Sequence, residues 1–433
     1  MEVEEFRRVL AAGLGRAILH LRDHDDTPYR DVILSACTHG LQYDRQLEGA
    51  RSKYLLELIE CTDRQEWYHD QILAALERTP IDPDLDADQL FAFAWQYAEE
   101  GDVAAREALY AAFAAHVATR SKHARESEGN VYLVELDGLK GFLIAADLLG
   151  QWLLDDPEVW FSDWALSRLE ERQGKEEVAA ALRQAATANP HIAAYVSHVY
   201  GEREVKPGNR ADPTGWTSEQ LLLRIADYAN RERIPLTHSD LQRWGLRASD
   251  TDIVRAAEDL LRETEPARLY PLLSIFTGRA FPLDPDRLIM LARTASDAEY
   301  DVWNETLDER IAWAACRALQ NVAHPAVREL ARYFMGMRHL VERGTGLLRS
   351  NYHDGDHVLI EDCLRRAEND EVFHSSGRNA LQIYKTRPLL ESVGVLTLIY
   401  ERDPCSRCRD WAVELLDRLH ALPEWMINEG RFD

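Results

Sequence analysis

The pattern of apolar residues is clearest between residues 306 and 341, where it predicts two helices. In the first, apolar side chains recur three and four positions apart, so they share one face of an α-helix. They are Ile311, Ala314, Ala315, Ala318, Leu319 and Val322. Thr306 precedes this stripe and Glu309 stands three positions later, which is the spacing of a capping box. The first helix is therefore expected to begin at Thr306.

A second apolar stripe follows a turn at His324-Pro325. Proline suits the first turn of a helix, since that turn does not use the missing N–H. The apolar members of this stripe are Val327, Leu330, Ala331, Phe334 and Val341. Because each helix alone would expose an apolar face, we expect the two helices to pack antiparallel. Small residues such as Ala314 and Ala331 would let their backbones approach closely.

The second stripe resembles the second helix of a HEAT repeat, with Pro325, Val327, Arg328 and Ala331 at the matching positions. Armadillo repeats are similar. The resemblance implies paired helices that stack into a curved solenoid, which in such proteins usually holds a protein or a nucleic acid. It covers one clear unit, and weaker echoes occur elsewhere in the chain.

One internal echo joins two distant segments. Phe161, Trp164, Ala165 and Leu169 stand 4, 7, 8 and 12 positions after Pro157, and Cys408, Trp411, Ala412 and Leu416 stand at the same offsets after Pro404. Both segments contain Asp-Pro followed by Asp-Trp-Ala. The match indicates one helical unit used twice, as repeat architectures predict.

Polar stretches suggest how the chain is divided. Residues 119–131 are polar and aperiodic, and 201–215 is rich in Pro, Gly and charge, which is typical of a hinge. We predict an N-terminal helical-repeat block at 1–200, a hinge or loop at 201–216, and a C-terminal helical-repeat block at 217–433. Within the blocks, 134–154 predicts one long apolar helix and 369–379 predicts a polar break. The predicted fold is all-α, a HEAT-like α-solenoid of roughly ten antiparallel helix pairs of about 40 residues each.

Composition narrows the classes of function. The chain has 433 residues, with 50 Lys and Arg against 75 Asp and Glu, so its formal net charge is 50 − 75 = −25. This acidic balance disfavours nonspecific binding to nucleic acid, whose phosphates it would repel. No stretch approaches the roughly 20 apolar residues that span a bilayer. Six scattered cysteines do not form a disulfide framework. These features favour a cytoplasmic protein without a membrane partner.

Cys405 and Cys408 form a CxxC motif at a predicted helix start. The helix dipole there, with Arg407 and Arg409, would lower a thiol pKa. Redox motifs of this kind usually follow a strand, and none is predicted here. A zinc knuckle would need a second pair of ligands, and the chain has no other CxxC. The interpretation we favour is structural, with Cys405 at the turn and Cys408 on the apolar face. Redox and metal-binding roles stay open.

Histidine and aspartate cluster at His353-Asp-Gly-Asp-His357, and again at 20–26. His at i and i+4 can share a metal ion on a helix, but Gly355 indicates a loop before a helix capped by Asp356, which would separate His353 from His357. His-Asp dipeptides at 24–25, 69–70 and 353–354 resemble those of all-helical metal phosphohydrolases of the HD type. None is followed by the glycine and lysine usual in that family. We favour a solvated turn for 353–357 and a helix end for 20–26.

Aromatic and basic residues give a further candidate surface. Most of the eleven tryptophans, including Trp95, Trp152, Trp164, Trp313 and Trp411, fall on apolar stripes, so core packing is expected for them. Basic residues cluster at 117–125 and 338–349. If they lined one concave face, they could contact phosphates despite the net charge.

From these observations we expect a noncatalytic scaffold or adaptor that binds a protein or peptide partner on its concave surface. A nucleic-acid-binding helical-repeat protein and an all-α metal-dependent hydrolase are the alternatives. We assign no catalytic, cofactor-binding or metal-ligating residue, and no cofactor. The oligomeric state is not determined by the pattern.

Overall fold

The chain folds into helices, as the apolar stripes predict, in a computed structural model that describes residues 1–44, 48–120, 129–201, 213–228, 237–294 and 306–432. Within these ranges no β-strand occurs. The all-α class is therefore confirmed. No helix in the described ranges is both long enough and apolar enough for a bilayer crossing.

The helices group into two units. Unit 1 comprises Met1–Glu204 together with Pro423–Asp433, and unit 2 comprises Val205–Leu422. The division falls within the predicted hinge at 201–216, of which residues 202–212 lie outside the described ranges. The hinge therefore stays a prediction. Unit 2 ends before residue 433, the predicted end of the C-terminal block.

Unit 1 contains thirteen α-helices among its described residues. They are α1 (Val3–Ala12), α2 (Arg16–Asp23), α3 (Arg30–Thr38), α4 (Ser52–Glu60), α5 (Gln65–Arg78), α6 (Ala87–Glu99), α7 (Val103–Ala118), α8 (Gly129–Asp137), α9 (Leu139–Asp155), α10 (Trp164–Gln173), α11 (Lys175–Ala186), α12 (Pro190–Tyr200) and, at the end of the chain, α25 (Glu424–Glu429).

Unit 2 contains twelve in the part that the structure describes. They are α13 (Ser218–Tyr228), α14 (His238–Arg247), α15 (Asp250–Arg262), α16 (Pro266–Ile275), α17 (Asp286–Arg293), α18 (Leu307–Leu319), α19 (Pro325–Met335), α20 (Val341–Leu347), α21 (Asp356–Arg365), α22 (Asp370–Thr386), α23 (Val393–Arg402) and α24 (Ser406–Arg418).

Helices in unit 1 pack mainly on helices close to them in the chain, such as α6 on α7 and α9 on α12. The predicted long helix at 134–154 is instead two helices, α8 and α9, which meet at Gly138. That glycine has φ +57°, a left-handed conformation that ends α8. Of the predicted loop at 119–131, residues 121–128 lie outside the described ranges, and 129–131 already belong to α8.

The end of the chain packs on its beginning within unit 1. The Arg16 Nε donates to Glu429 Oε1 at 2.8 Å, and the same guanidinium lies 5.2 Å from the ring centre of Trp425. A Cβ added at Gly15 would overlap the backbone carbonyl of Glu429. Helix α2 therefore depends on residues 423–432 for part of its burial.

Alternate helices of unit 2 form a continuous series of contacts. Helix α14 packs on α16, α16 on α18, α18 on α20, α20 on α22, and α22 on α24. We call this series the α14–α24 row. It places side chains from six helices, distant in sequence, along one line of neighbours.

The helix pair at 306–341 follows the prediction at its start. Thr306 and Glu309 form the capping box, and α19 begins at Pro325, where the His324 ring accepts from the Ala326 N–H. All six residues of the first stripe are buried. The second helix is shorter than predicted, because α19 ends at Met335 and Val341 already belongs to α20.

The prediction of a polar break at 369–379 is wrong, since these residues belong to α22 and its N-cap. The Asn369 side chain caps the helix by accepting from the Val372 N–H. Phe373 and Ala380 are buried, as a helix stripe requires, but Ser376 and Gly377 are buried with them. Because Ser376 and Gly377 are not apolar, the sequence of this segment does not show the 3.6-residue periodicity of an amphipathic helix.

The internal echo is matched only in part. Phe161 and Cys408, Ala165 and Ala412, and Leu169 and Leu416 are all buried. Helix α10 begins at Trp164, however, whereas α24 begins five residues before Trp411. Trp164 is consequently 63% exposed, which contradicts its predicted place in the core.

Candidate functional site

The CxxC motif lies at the N-terminus of α24, the last helix of the row. Cys405 is the N-cap residue, and its N–H donates to Asp403 Oδ1 at 3.0 Å. Arg409 fixes the turn, since its Nη1 donates to the carbonyl oxygens of Asp403 at 2.8 Å and Pro404 at 3.1 Å. Cys408 lies one turn into the helix and is buried. Both thiols are thus held by a rigid turn.

Helix α22 brings His374 to this turn. Its Nδ1 lies 3.0 Å from Asp403 Oδ1 and 3.6 Å from Cys408 Sγ. One donor atom from each of His374, Cys405 and Cys408 lies within 4.8 Å of the others. We call these three residues with Asp403 the Cys–His centre.

Hydrogen bonding makes the two thiols unequal. The hydrogen bond from Cys408 lowers the pKa of Cys405 to about 6, against the opposing effect of burial. The same hydrogen bond, together with burial, raises the pKa of Cys408. Burial alone would lower the pKa of His374, but the hydrogen bond and the charge of Asp403 outweigh it and raise that pKa. The centre therefore favours the thiolate form of Cys405 and the protonated form of His374 more than water does.

Asp403 has an oxygen with no partner. The residue is fully buried, and its Oδ2 makes no hydrogen bond in the structure. A Cβ added at Gly377 of α22 would lie 3.0 Å from that oxygen, so the glycine allows the carboxylate to approach the helix. An unsatisfied buried carboxylate oxygen is costly, by about 1–3 kcal/mol or more.

Three arginines lie close together on the same row. We call Arg317 of α18, Arg349 after α20 and Arg378 of α22 the arginine cluster. Burial lowers the pKa of Arg317, and the charges of Arg349 and Arg378 lower it further. Within the described residues none of the three forms an ion pair. The cluster is therefore a local excess of positive charge in an acidic chain.

Several donors beside the cluster lack acceptors. Arg317 Nε and the Nη1 of the buried Arg343 have no hydrogen-bond partner, and Arg349 Nη1 reaches only Gln320 Oε1, at 3.3 Å. The nearby carboxyl of Glu342 does not form an ion pair with them. Burial raises its pKa, although a hydrogen bond to Ser375 and the charges of Arg343 and Arg317 oppose this. The donors thus have capacity for an anionic group.

Aromatic side chains border the arginine cluster. The Arg317 guanidinium lies 5.1 Å from the ring centre of Trp313, and the Arg310 guanidinium lies 4.3 Å from that of Tyr270 on α16. The ring of His238 is 5.8 Å from the Trp313 ring. We call this surface, from His238 to the arginine cluster, the basic–aromatic face.

Arg378 links the two features. Its charge acts on Arg317 in the arginine cluster, and it also opposes protonation of His374 in the Cys–His centre. The two features therefore occupy neighbouring parts of α22, although they use different side chains.

The His353 and His357 candidates do not form a metal site in the described structure. Asp356 accepts from the His353 N–H at 2.7 Å and pairs with Arg328, while the His357 Nδ1 lies 3.4 Å from Glu391 Oε1. His353 thus contacts Asp356 through its backbone, whereas the ring of His357 faces Glu391 on another segment. Among the described residues, His374, Cys405 and Cys408 are the one group of three or more such side chains with metal-binding spacing. Asp403 lies beside that group but is not one of its members.

The other His-Asp dipeptides also lie apart. His24 Nδ1 contacts the His20 carbonyl of its own helix at 2.9 Å. His69 Nε2 contacts Asp102 Oδ2 at 2.7 Å. The His24 ring stacks on that of His20 with ring centres 4.1 Å apart. Among the described residues, however, neither dipeptide belongs to a group of three ligands with metal-binding spacing.

The predicted basic clusters have different outcomes. Most of the cluster at 117–125 lies outside the described ranges. In the cluster at 338–349, Arg338 is exposed and lies 3.8 Å from Glu368, whereas Arg343 and Arg349 belong to the basic–aromatic face or its border. Trp152 is buried as expected, while Trp313 is only partly buried and borders the arginine cluster.

Sequence analysis missed His374, Arg317 and Arg378. His374 and Arg378 are spaced i and i+4, so they share a face of α22, but the polar pattern of that segment predicts a break. The available signal was a histidine among small polar residues, HSSGR, just before an apolar stripe.

No protein-family model, curated protein or solved structure matches the chain. The geometry of the described residues is therefore the basis for a functional proposal.

Proposed function

We propose that the protein is a noncatalytic, HEAT-like helical-repeat scaffold that binds an acidic or phosphorylated segment of a protein partner along the α14–α24 row. The observation that carries the proposal is the arginine cluster, with three guanidinium groups close together and no ion pair among the described residues. Carboxylates and phosphates are the groups that match the planar donor pattern of arginine.

The order of helix contacts supports a repeat architecture. In unit 2 each helix of the row packs on the helix two places along the chain, as stacked helix pairs do. Stacking of this kind produces an extended surface on one side, and we assign partner binding to that surface. The curvature of the row and the antiparallel arrangement of its pairs belong to the proposal.

Peptide binding is favoured over nucleic-acid binding by charge. The chain has a net charge of −25, and a long polyanion would meet repulsion beyond the cluster. A short acidic or phosphorylated segment needs to neutralise only the three arginines. Trp313 and Tyr270 add flat apolar contacts beside them, of the kind that dominate peptide recognition.

A noncatalytic role is favoured over that of an HD-type hydrolase. Such an enzyme needs several histidines and aspartates around one metal ion. The three His-Asp dipeptides have separate partners, so no such set forms among the described residues.

The proposal is tested by fluorescence anisotropy with four labelled probes. These are a glutamate-rich peptide, the same peptide with phosphoserines, a neutral glutamine-rich peptide and single-stranded oligo-dT. We expect binding of the first two, weakening with salt, and none of the neutral peptide. Arg317→Gln and Arg349→Gln should each weaken binding about tenfold or more, since hydrogen bonds to charged groups contribute about 1.5–3 kcal/mol.

Arg365→Gln is the matched control, because Arg365 is exposed on α21 and pairs with Glu361 at 2.6 Å. It should leave binding unchanged. Binding of oligo-dT alone, with the same dependence on Arg317, would instead support the nucleic-acid alternative. If no anionic probe binds, the assignment of the row as a binding surface is wrong.

A further inference from the structure

Four potential metal ligands converge from two elements of unit 2. His374 comes from α22, and Asp403, Cys405 and Cys408 come from the turn and first residues of α24. Cys405 and Cys408 are 3% and 5% exposed, and Asp403 is fully buried. A buried group of two thiols, one imidazole and one carboxylate is an unusual choice for a helix–helix contact, where apolar side chains would be cheaper to bury.

The spacing of the donors fits a tetrahedral ion. Zn–N and Zn–S bonds of about 2.0 Å and 2.3 Å place the two donor atoms about 3.5 Å apart at a tetrahedral angle. His374 Nδ1 and Cys408 Sγ are 3.6 Å apart. The third donor, Cys405 Sγ, lies within 4.8 Å of both. Small side-chain movements would therefore bring all three into coordination.

The unpartnered oxygen of Asp403 is an independent indication of a ligand. Its Oδ1 already accepts from the Cys405 N–H at 3.0 Å, whereas Oδ2 accepts from no group. That oxygen faces Gly377, whereas Oδ1 lies 3.0 Å from His374 Nδ1, so the carboxylate would turn to place Oδ2 against a cation beside His374. The fixed turn, held by Arg409, places Asp403 beside the imidazole before any ion binds.

We propose that Cys405, Cys408, His374 and Asp403 form a closed structural zinc site that joins α22 to α24. Thiolate and imidazole ligands select zinc over magnesium or calcium, which prefer oxygen ligands. Three donors already lie within mutual reach, and Asp403, turned inward, would supply the fourth, so no open position would remain for a substrate. The site goes beyond the proposed partner binding, since none of the four residues belongs to the arginine cluster.

Metal binding here releases protons. Zinc binds Cys405 and Cys408 as thiolates and His374 as a neutral ring, so any thiol protons and any second imidazole proton pass to solvent. The two thiolates and one carboxylate then carry three negative charges against the two positive charges of the ion. Arg378 and Arg409 lie near this residual charge.

A redox dithiol is less consistent with the burial. Disulfide exchange requires an external thiolate to reach one sulfur in line, and the two residues are at most 5% exposed. Metal binding needs only that a small ion enter. The CxxC spacing alone is compatible with both disulfide exchange and metal binding, and the burial of the two thiols favours metal binding.

The first measurement is made on the unaltered full-length chain. Protein purified without chelators is analysed for metals by mass spectrometry, then stripped and titrated with Co²⁺. We expect one equivalent of zinc per chain. The cobalt form should show the visible bands of tetrahedral Co²⁺ and a thiolate-to-cobalt charge-transfer band. Because no substitution is involved, this result does not depend on whether a variant folds.

Variants then assign the ligands. Cys408→Ser and His374→Ala should lose stoichiometric metal, while His374→Cys should retain it because a ligand is restored. Asp403→Asn should weaken cobalt binding about 10–100-fold. Cys363→Ser is the matched control, since Cys363 is a buried free thiol of α21 outside the centre. It should leave metal content unchanged.

Three results would overturn the site. They are an absence of bound metal and of the cobalt spectrum in the unaltered protein, metal content that is unchanged in Cys408→Ser, and a Cys405–Cys408 disulfide that accounts for both thiols in the freshly isolated protein. The last would assign the motif to redox chemistry.

Discussion

At the scale of single residues, buried polar atoms without partners mark where the structure departs from ordinary packing. Asp403 Oδ2, Arg317 Nε and Arg343 Nη1 are such atoms, and all three lie on or beside the α14–α24 row. Each costs stability, and folded proteins usually satisfy such groups. We interpret the first as a metal ligand and the other two as part of an anion-binding surface.

The effect of burial on Glu342 can be tested through the pH dependence of the protein's thermal stability. Burial raises its pKa, so the folded state favours the protonated form. The stability that it contributes is present below the unfolded-state pKa and is lost as pH rises through the folded-state pKa. Glu342→Gln mimics the protonated form and should therefore raise the thermal unfolding midpoint more at pH 7 than at pH 5.

Differential scanning calorimetry at the two pH values measures this difference. Glu414→Gln is the matched control, because Glu414 is exposed on α24 and should shift both midpoints by a similar small amount. A Glu342→Gln protein that is less stable at pH 7 than the unaltered chain would show that Arg343 and Arg317 hold the carboxylate charged.

At the scale of elements, the start of α18 shows how local sequence sets a helix boundary. The Glu309 N–H donates to Thr306 Oγ1 at 3.3 Å and the Thr306 N–H donates to Glu309 Oε2 at 2.7 Å. These reciprocal bonds satisfy donors that the first turn of a helix otherwise leaves free.

Thr306→Ala removes one half of this cap. We expect the free energy of unfolding to fall by about 1 kcal/mol, within the range of about 0.5–2 kcal/mol for N-cap threonines. Urea denaturation followed by circular dichroism measures it. Thr386→Ala, at the exposed last residue of α22, should change stability by less than about 0.5 kcal/mol. Equal effects of the two changes would contradict a capping role.

Helices with regular stripes and clear caps were predictable, and those with irregular inner faces were not. The stripe from Ile311 to Val322 follows directly from 3.6-residue periodicity. Helix α22 was missed because Ser376 and Gly377 occupy its buried face, where a stripe would require apolar residues. The break between α8 and α9 depends on the left-handed conformation of Gly138, and a glycine inside an apolar run does not reveal its own φ.

At the scale of the whole molecule, each unit is built from helices that contact close neighbours in the chain. Local pairing is what an amphipathic pattern predicts, so the all-α class could be read from the sequence. The Cys–His centre could not. His374 and Cys405 are brought together only because α22 packs on α24, and a motif scan of either segment alone finds an incomplete ligand set.

The closing contact of unit 1 gives a test at this scale. Gly15 leaves no room for a side chain against the Glu429 carbonyl. Gly15→Ala should therefore loosen residues 423–432 from α2, on which α1 packs, at a cost of about 1–3 kcal/mol. Hydrogen exchange should show reduced protection in α1 and α2, with little change in α18–α24.

Gly215→Ala is the matched control, because no atom lies within 4 Å of a Cβ added there. It should leave exchange in α1 and α2 unchanged. If Gly15→Ala has the same pattern as this control, the end of the chain does not stabilise the first two helices.

The contact of α25 with α2 has a consequence for how the protein is made. A ribosome adds residues 423–433 only after all of residues 205–422, so the first helices emerge long before the segment that covers them. Unit 2 has no such delay, because its residues 205–422 are all synthesised before residue 423 is added. During translation the N-terminal helices would thus stay partly exposed to solvent until residues 423–433 are synthesised and pack on them.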